Sequence, residues 1–191
     1  MRGHRGIVLY QNNTQASLID ECCGRVEVCS FSALMVGGMY EYALESYAKQ
    51  HVVRQQELLF LPLQIIHEDF LFLHHIFEVM LLCAPVGSCV QGVFSLFLWL
   101  YNKPALWFSD KHKKFILFKL LSLLGIWPVQ NHLYKTLIKI AEFPIDSISD
   151  ETLELVSETN LEEWLTQSLG CHSFSKKMKT KLFLESVLHY D

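Results

Sequence analysis

The chain has 191 residues, of which 51% are hydrophobic and 13% aromatic, and its formal net charge at pH 7 is −4. This apolar content excludes intrinsic disorder and predicts one large or two small folded domains. The slightly acidic total argues weakly against a polyanionic partner. The six cysteines form no Cys-x-x-Cys pair, and the apolar run at residues 7–10 is too short for a signal peptide. We therefore expect reduced thiols in a cytoplasmic protein without metal or cofactor.

The first 62 residues contain short strand-like segments separated by turn residues. Residues 25–31 and 39–45 alternate apolar with polar side chains, as half-buried strands do. Residues 6–10 and 57–61 are two further strand-like segments. Strands at this spacing predict a small antiparallel barrel or sandwich, although residues 39–50 are also compatible with a helix.

Residues 79–101 form an uncharged segment long enough to cross a membrane. Pro85 and Gly87 interrupt it, and the part after Ser88 has about 14 residues, too few for a spanning helix. No cluster of Lys or Arg flanks one side to set an orientation. The sequence therefore predicts two helices joined by a turn at residues 84–88 and packed in a soluble protein. A small integral membrane protein remains an alternative.

From Pro62 onward the sequence pattern is helical. Ser109 or Asp110 is expected to begin a helix that ends before Gly125. A capping-box pattern at residues 159–162 is expected to open another helix, whose apolar stripe consists of Leu161, Trp164, Leu165 and Leu169. Two more helices are predicted at residues 132–142 and 176–189.

Catalytic sequence patterns are absent: there is no phosphate-binding glycine loop, nucleophile elbow or zinc-protease helix motif. The best candidates for a metal or catalytic site are His67, Glu68 and His75. Their spacing along a helix does not bring all three to one face, so ordinary helix residues are the preferred interpretation. We expect a protein that is not an enzyme.

Charge is sorted along the sequence. Residues 103–139 contain seven lysines and one acidic residue, residues 141–170 contain eight acidic residues and no basic one, and lysines return after Gly170. Lysine clusters bind phosphate groups by releasing counterions and do not read bases. The clusters at residues 111–114 and 176–181 are therefore candidate nucleic-acid contacts, with a solvated surface as the alternative.

Three segments resemble the RecO family of recombination mediators. KKFILFKLLSLLGIWP at residues 113–128 is similar to an apolar RecO helix that ends in leucines, glycine and proline. SKKMKTKLFLESVLHY at residues 175–190 looks like the closing basic helix. GIVLY, ASLIDECCGRVEV and MVGGMYEYAL look like a shortened OB-fold opening. The zinc module that follows the first of these helices in many members has no counterpart here.

The resemblance implies an α+β fold, with a small OB-like antiparallel β-barrel at residues 1–62 followed by an all-α helical domain at residues 63–191. It also implies a role in DNA repair and recombination: the protein would bind single- and double-stranded DNA, anneal complementary strands and, with RecR, help RecA replace SSB. An adaptor of the same fold with little DNA affinity is the alternative.

Two sets of residues are candidates for these contacts. In the family the acidic SSB C-terminal tail docks on the helical domain, and the matching positions here are Lys111, Lys114, Phe115, Phe118 and Lys119. The candidates for DNA contact are Arg2, Arg5, Arg25, Arg54, Lys176, Lys177, Lys179 and Lys181. No membrane partner is expected.

Overall fold

The structure is a computed structural model that describes residues 3–29, 33–47, 50–63, 69–90, 92–103, 109–130, 134–170 and 177. It divides into two compact units, Met1–Phe94 and Ser95–Asp191, called here the first and second units. The first begins with a β-barrel and the second is helical throughout its described part. The predicted α+β fold, an OB-like barrel followed by helices, is confirmed.

Five strands close the barrel in the order β1–β2–β3–β5–β4. The β3–β5 pair is parallel and the other neighbours are antiparallel. The strands are β1 (His4–Gln11), β2 (Gln15–Asp20), β3 (Gly24–Cys29), β4 (Met39–Tyr47) and β5 (Gln50–Phe60). Segments 6–10, 25–31, 39–45 and 57–61 each overlap a strand, so the strand predictions are confirmed with shifted ends.

β2 is the strand that the sequence pattern does not reveal. Every residue from Ala16 to Asp20 is buried. Ala16 and Leu18 belong to the barrel core, while Ser17 and Ile19 alternate with them and are buried as well. A strand covered on both faces shows no contrast between apolar and polar positions, and alternation was the criterion for finding strands.

A helix of the first unit packs on the barrel. This helix, α1 (Phe70–Cys83), lies against β1 and buries an apolar face that includes Phe72, Ile76 and Met80. Because of this packing, α1 belongs to the same compact unit as the barrel. The division into units thus falls later than residue 62, whereas the barrel strands themselves end at Phe60.

The turn after α1 is held against β3. Gly24, at the start of β3, has a φ of +75°, and a Cβ atom there would lie 1.9 Å from the carbonyl oxygen of Ser88. The Arg25 N–H donates to this oxygen at 3.2 Å, and the Gly87 N–H donates to the Arg25 carbonyl at 2.7 Å. Glycine is therefore required at position 24, because the two backbones approach too closely for a side chain.

The prediction of two helices separated by a turn within residues 79–101 is confirmed. α1 ends at Cys83, Gly87 turns the chain with a φ of +80°, and α2 begins at Val93 and ends at Tyr101. Among the described residues, none of the helices combines the length and the apolar sequence that crossing a bilayer requires.

The second unit packs its helices around aromatic side chains. Its further helices are α3 (Asp110–Leu123), α4 (Lys135–Glu142), α5 (Asp150–Glu154) and α6 (Glu158–Gly170), with a 3₁₀ turn at Ile145–Ser147. Trp164 is fully buried, and its ring centroid lies 4.8 Å from that of Phe118 and 5.7 Å from that of Trp127. The predicted helix before Gly125 and the predicted stripe on α6 are both confirmed.

The capping box predicted at residues 159–162 is wrong. α6 already begins at Glu158, and the Asn160 N–H donates to Ser157 Oγ at 3.5 Å. Ser157 offers its hydroxyl two residues earlier, and Glu158 places an acidic side chain in the first turn, where the helix dipole favours it. A capping box does occur ahead of α5, between Ser149 and Thr152. The predicted last helix, at residues 176–189, lies outside the described residues except for Lys177.

Candidate nucleic-acid and partner interfaces

Arg5 lies in the first strand of the barrel and forms a bidentate ion pair with Glu21. Its Nε donates to Glu21 Oε2 at 2.7 Å and its Nη2 donates to Glu21 Oε1 at 2.6 Å. The hydrogen bonds that Arg5 donates to Glu21, and the negative charge of Glu21, raise the pKa of Arg5. Both side chains are partly exposed. A phosphate group would have to displace Glu21 before it could use the paired face of this guanidinium.

Arg25 forms hydrogen bonds that connect elements of the first unit. Its Nη1 donates to the carbonyl oxygens of Leu81, at 2.6 Å, and Ala84, at 2.7 Å. Its Nε donates to Ser17 Oγ at 3.2 Å, and its Nη2 donates to Glu27 Oε1 at 2.7 Å. The side chain is only 14% exposed. In this geometry the guanidinium fastens the end of α1 to β3, and it is not presented to a phosphate.

Arg54 on β5 is the most exposed of the three described barrel arginines. Its side chain is 53% exposed, and its Nε lies 3.5 Å from Glu45 Oε2. A pair at this distance between exposed groups is weak, because water screens both charges. Arg54 therefore remains placed for a phosphate contact. Arg2, the fourth predicted barrel arginine, lies outside the described residues.

The barrel sequence is nearly balanced in charge. Residues 1–60 contain six carboxylates and five basic residues, which are Arg2, Arg5, Arg25, Lys49 and Arg54. Each of the three described arginines forms an ion pair with a carboxylate of the barrel. The barrel sequence therefore has no basic surplus that would attract a phosphate backbone.

In the second unit, Lys114 lies in the interior. Lys114 is 2% exposed, and its Nζ donates to Glu158 Oε1 at 2.9 Å and to Glu162 Oε1. Burial disfavours the charge of Lys114, but the hydrogen bonds that it donates to Glu162 and Glu158 outweigh this effect and raise the pKa of Lys114. Lys114 on α3 thus lies between two carboxylates of α6 and joins the two helices.

Lys119 is buried as well and caps the end of α4. It is 1% exposed, and its Nζ donates to the carbonyl oxygens of Ile140 at 3.3 Å, Ala141 at 2.5 Å and Phe143 at 2.7 Å. A cation beside the carbonyl end of a helix is favourable, since that end carries partial negative charge. Burial nevertheless lowers the pKa of Lys119 to about 8.

The five α3 positions that match the docking site for an acidic tail therefore do not form an open surface. Phe115 and Phe118 are buried, and Lys114 and Lys119 point inward to partners within the second unit. The sequence could not separate these lysines from surface lysines, because a stripe of basic residues at helical spacing is the same in both cases. Of the five predicted contacts, Lys111 keeps partial exposure.

The exposure of the remaining lysines differs between α3 and α4. Lys111 and Lys113, in the first turn of α3, are half-buried, and Lys135 and Lys139 on α4 are exposed. Lys177 is exposed, whereas Lys176, Lys179 and Lys181 lie outside the described residues.

Sequence reasoning did not find a cavity of about 380 Å³ at the end of α2. It is lined by Ser95, Leu98, Trp99, Asn102 and Lys103. Lys103 Nζ lies 4.6 Å from the centroid of the Trp99 ring, a cation–π geometry. The available sequence signal was the four-residue spacing of Trp99 and Lys103, which brings them to one side of the chain at the helix end. The cavity combines an apolar wall with a positive charge.

Comparisons with protein-family models and with curated protein sequences find no match to this chain.

Proposed function

We propose that this chain is a non-catalytic, RecO-like mediator of DNA repair and recombination that acts in the cytoplasm. It binds single- and double-stranded DNA, anneals complementary strands and, together with RecR, assists RecA loading on SSB-coated DNA. The observation that supports this proposal best is the closed five-stranded barrel followed by a helical unit. OB-like barrels are recurrent platforms for oligonucleotides, because their grooves can follow a strand backbone.

The charges of the described residues favour the second unit as the place of phosphate contact. Arg25 is used within the first unit and Arg5 is paired with Glu21. Lys111 and Lys113 both lie in the first turn of α3 and retain partial exposure. We therefore assign the principal described phosphate contacts to Lys111 and Lys113, with Arg54 as the barrel contribution.

The test measures binding of a labelled oligothymidine by fluorescence anisotropy over a series of salt concentrations. Each phosphate contact contributes about 0.7 to the slope of log affinity against log salt for a single strand. We expect Lys111→Glu/Lys113→Glu to weaken binding at least tenfold and to reduce the slope by about 1.4. Absence of binding at low salt, or binding that does not depend on salt, would refute DNA binding.

Lys135→Glu/Lys139→Glu is the matched control, since it makes the same change in net charge on two exposed positions of α4. We expect it to change the affinity less than twofold. If both double variants weaken binding equally, long-range repulsion explains the loss and the assignment to Lys111 and Lys113 fails.

A second function is favoured by the paired arginines and by the cavity at Trp99. In this alternative the chain is a protein-interaction adaptor of the same fold with little DNA affinity. An acidic peptide that ends in an apolar residue, such as the SSB tail, would place its apolar end against Leu98 and Trp99 and a carboxylate near Lys103.

Calorimetric titration with such a peptide tests the adaptor function. We expect Lys103→Glu to weaken peptide binding at least tenfold, whereas Lys139→Glu, an equal change of charge on α4, leaves it unchanged. Peptide or RecR binding without any DNA binding selects the adaptor. DNA binding together with peptide binding supports the mediator.

A further inference from the structure

Closure of the barrel brings three metal-binding side chains together at one end. His4 begins β1, Asp20 ends β2, and Cys23 lies in the turn between β2 and β3. One nitrogen, one oxygen and one sulfur ligand atom from these residues lie within 4.8 Å of one another. His4 Nδ1 is 3.1 Å from Asp20 Oδ2. We call His4, Asp20 and Cys23 the barrel-end cluster.

The carboxylate at the centre of the cluster is held in one orientation. Asp20 Oδ1 accepts hydrogen bonds from the backbone N–H groups of Cys22 at 2.8 Å and Cys23 at 2.7 Å. The Tyr42 hydroxyl donates to Asp20 Oδ2 at 2.6 Å. The Asp20 side chain has no exposed surface. Burial alone would raise the pKa of Asp20, but the hydrogen bonds from Tyr42 and from the two backbone N–H groups lower it. The cluster thus contains a buried, oriented anion.

We infer that the barrel-end cluster is a binding site for a divalent transition-metal ion, with His4 Nδ1, Asp20 Oδ2 and Cys23 Sγ as ligands and Zn²⁺ as the best match. Imidazole, carboxylate and thiolate are the three ligand types that zinc takes in proteins. Zinc bonds of about 2.0–2.3 Å in tetrahedral geometry separate neighbouring ligand atoms by roughly 3.3–3.6 Å. The His4–Asp20 distance already approaches that separation, and the Cys23 sulfur lies within 4.8 Å of both ligand atoms.

The charges and protons of the site balance. Burial, followed by the charge of Asp20, raises the pKa of the Cys23 thiol. Zinc binding releases the Cys23 thiol proton to solvent and replaces the contact between His4 Nδ1 and Asp20 Oδ2, so that the bound neutral imidazole carries its proton on Nε2. One carboxylate and one thiolate then neutralise the divalent cation. Tyr42 orients the ligating carboxylate from outside, as the supporting groups of metal sites do.

Two more thiols lie beside the cluster, and neither is assigned as a ligand. Cys22 and Cys89 are exposed, and Cys89 Sγ lies 3.6 Å from the Cys22 carbonyl oxygen. With three ligands from the barrel, we assign the fourth position to water, which is the arrangement of zinc sites that keep an open coordination position. The sequence does not reveal this site, because His4, Asp20 and Cys23 lack the regular spacing of a zinc module.

The experiment uses the full chain, purified without chelator and then dialysed. Zinc content is measured by mass spectrometry and affinity by competition with a chromogenic chelator. We expect one zinc ion per chain. We expect Cys23→Ser and His4→Gln each to lower the affinity at least a hundredfold, and Tyr42→Phe to lower it 10- to 100-fold, as the loss of supporting groups does in other metal sites. Cys29→Ser, a change of the same chemistry elsewhere in the barrel, is expected to have no effect.

The absorption spectrum of the Co²⁺-loaded protein is a second readout, because it reports which atoms bind the metal. The Co²⁺-loaded protein should show a thiolate-to-metal charge-transfer band, which is lost in Cys23→Ser and retained at saturating Co²⁺ in His4→Gln. Far-ultraviolet circular dichroism of each variant checks that the barrel is folded. Cys22→Ser/Cys89→Ser should lower zinc affinity less than tenfold. Unchanged zinc affinity in folded Cys23→Ser, or metal bound through Cys22 and Cys89 with no contribution from His4, would overturn the inference.

Discussion

Replacing Arg25 with methionine keeps the apolar stem of the side chain and removes its guanidinium group. The Leu81 and Ala84 carbonyl oxygens then lose a charged donor that lies 2.6 and 2.7 Å away, and Ser17 Oγ loses a third contact. A hydrogen bond to a charged group contributes about 1.5–3 kcal/mol, but water can replace part of it at the turn after α1. We expect a loss of roughly 3 kcal/mol, which lowers Tm by about 6–12 °C in a chain of this size.

Urea denaturation followed by circular dichroism measures this loss. Arg54→Met is the matched control: Arg54 is half-exposed and its pairing with Glu45 is weak, so we expect a change below about 0.5 kcal/mol. At a temperature where Arg25→Met is folded, its DNA affinity should stay within twofold of the unmodified protein. A stable Arg25→Met variant with lost DNA affinity would refute the structural role and restore Arg25 as a phosphate contact.

Two further stability measurements follow from buried groups. Lys119→Met should lower the free energy of unfolding by about 2–4 kcal/mol in urea, because the buried Ile140 carbonyl and its neighbours lose a charged donor, whereas Lys139→Met at an exposed position should change it little. Burial lowers the pKa of His75 to about 4, below the ordinary value of 6.5, so the unfolded chain takes up a proton before the folded one. The contribution of neutral His75 is fully present above pH 6.5 and about 3 kcal/mol is lost as pH falls to 4; His75→Leu should reduce that dependence, and an equal pH dependence in the variant would contradict this reasoning.

The features that the sequence predicts correctly depend on neighbouring residues. Alternation in β3 and β4, the apolar stripe of α6 and the interruption at Pro85 are all properties of short segments. A period of two or of 3.6 residues decides which side chains share a face, and proline removes a donor wherever it stands. Such patterns survive in any tertiary context that buries one face.

The roles of individual charges were not predictable in this way. Arg25 and Arg54 both lie on barrel strands. Arg25 donates hydrogen bonds to the end of α1, whereas the Arg54 side chain is half-exposed to solvent. Lys111 and Lys119 belong to one helix, α3. Lys111 is partly exposed, whereas Lys119 is buried and donates to carbonyl groups at the end of α4. Which carbonyl or carboxylate a cation meets depends on the elements packed against it, and these come from distant parts of the chain.

By itself, the sequence determined the strand and helix periods, the turn within residues 79–101 and the order of a strand-rich first part followed by helices. The tertiary structure alone decided that β2 is covered on both faces and that His4, Asp20 and Cys23 meet. In the barrel, His4 pairs with Tyr42 on β4 while Gly6 pairs with Asp20 on β2. The register of two different strand pairs thus sets the cluster, and a register is a relation between segments that no local pattern contains.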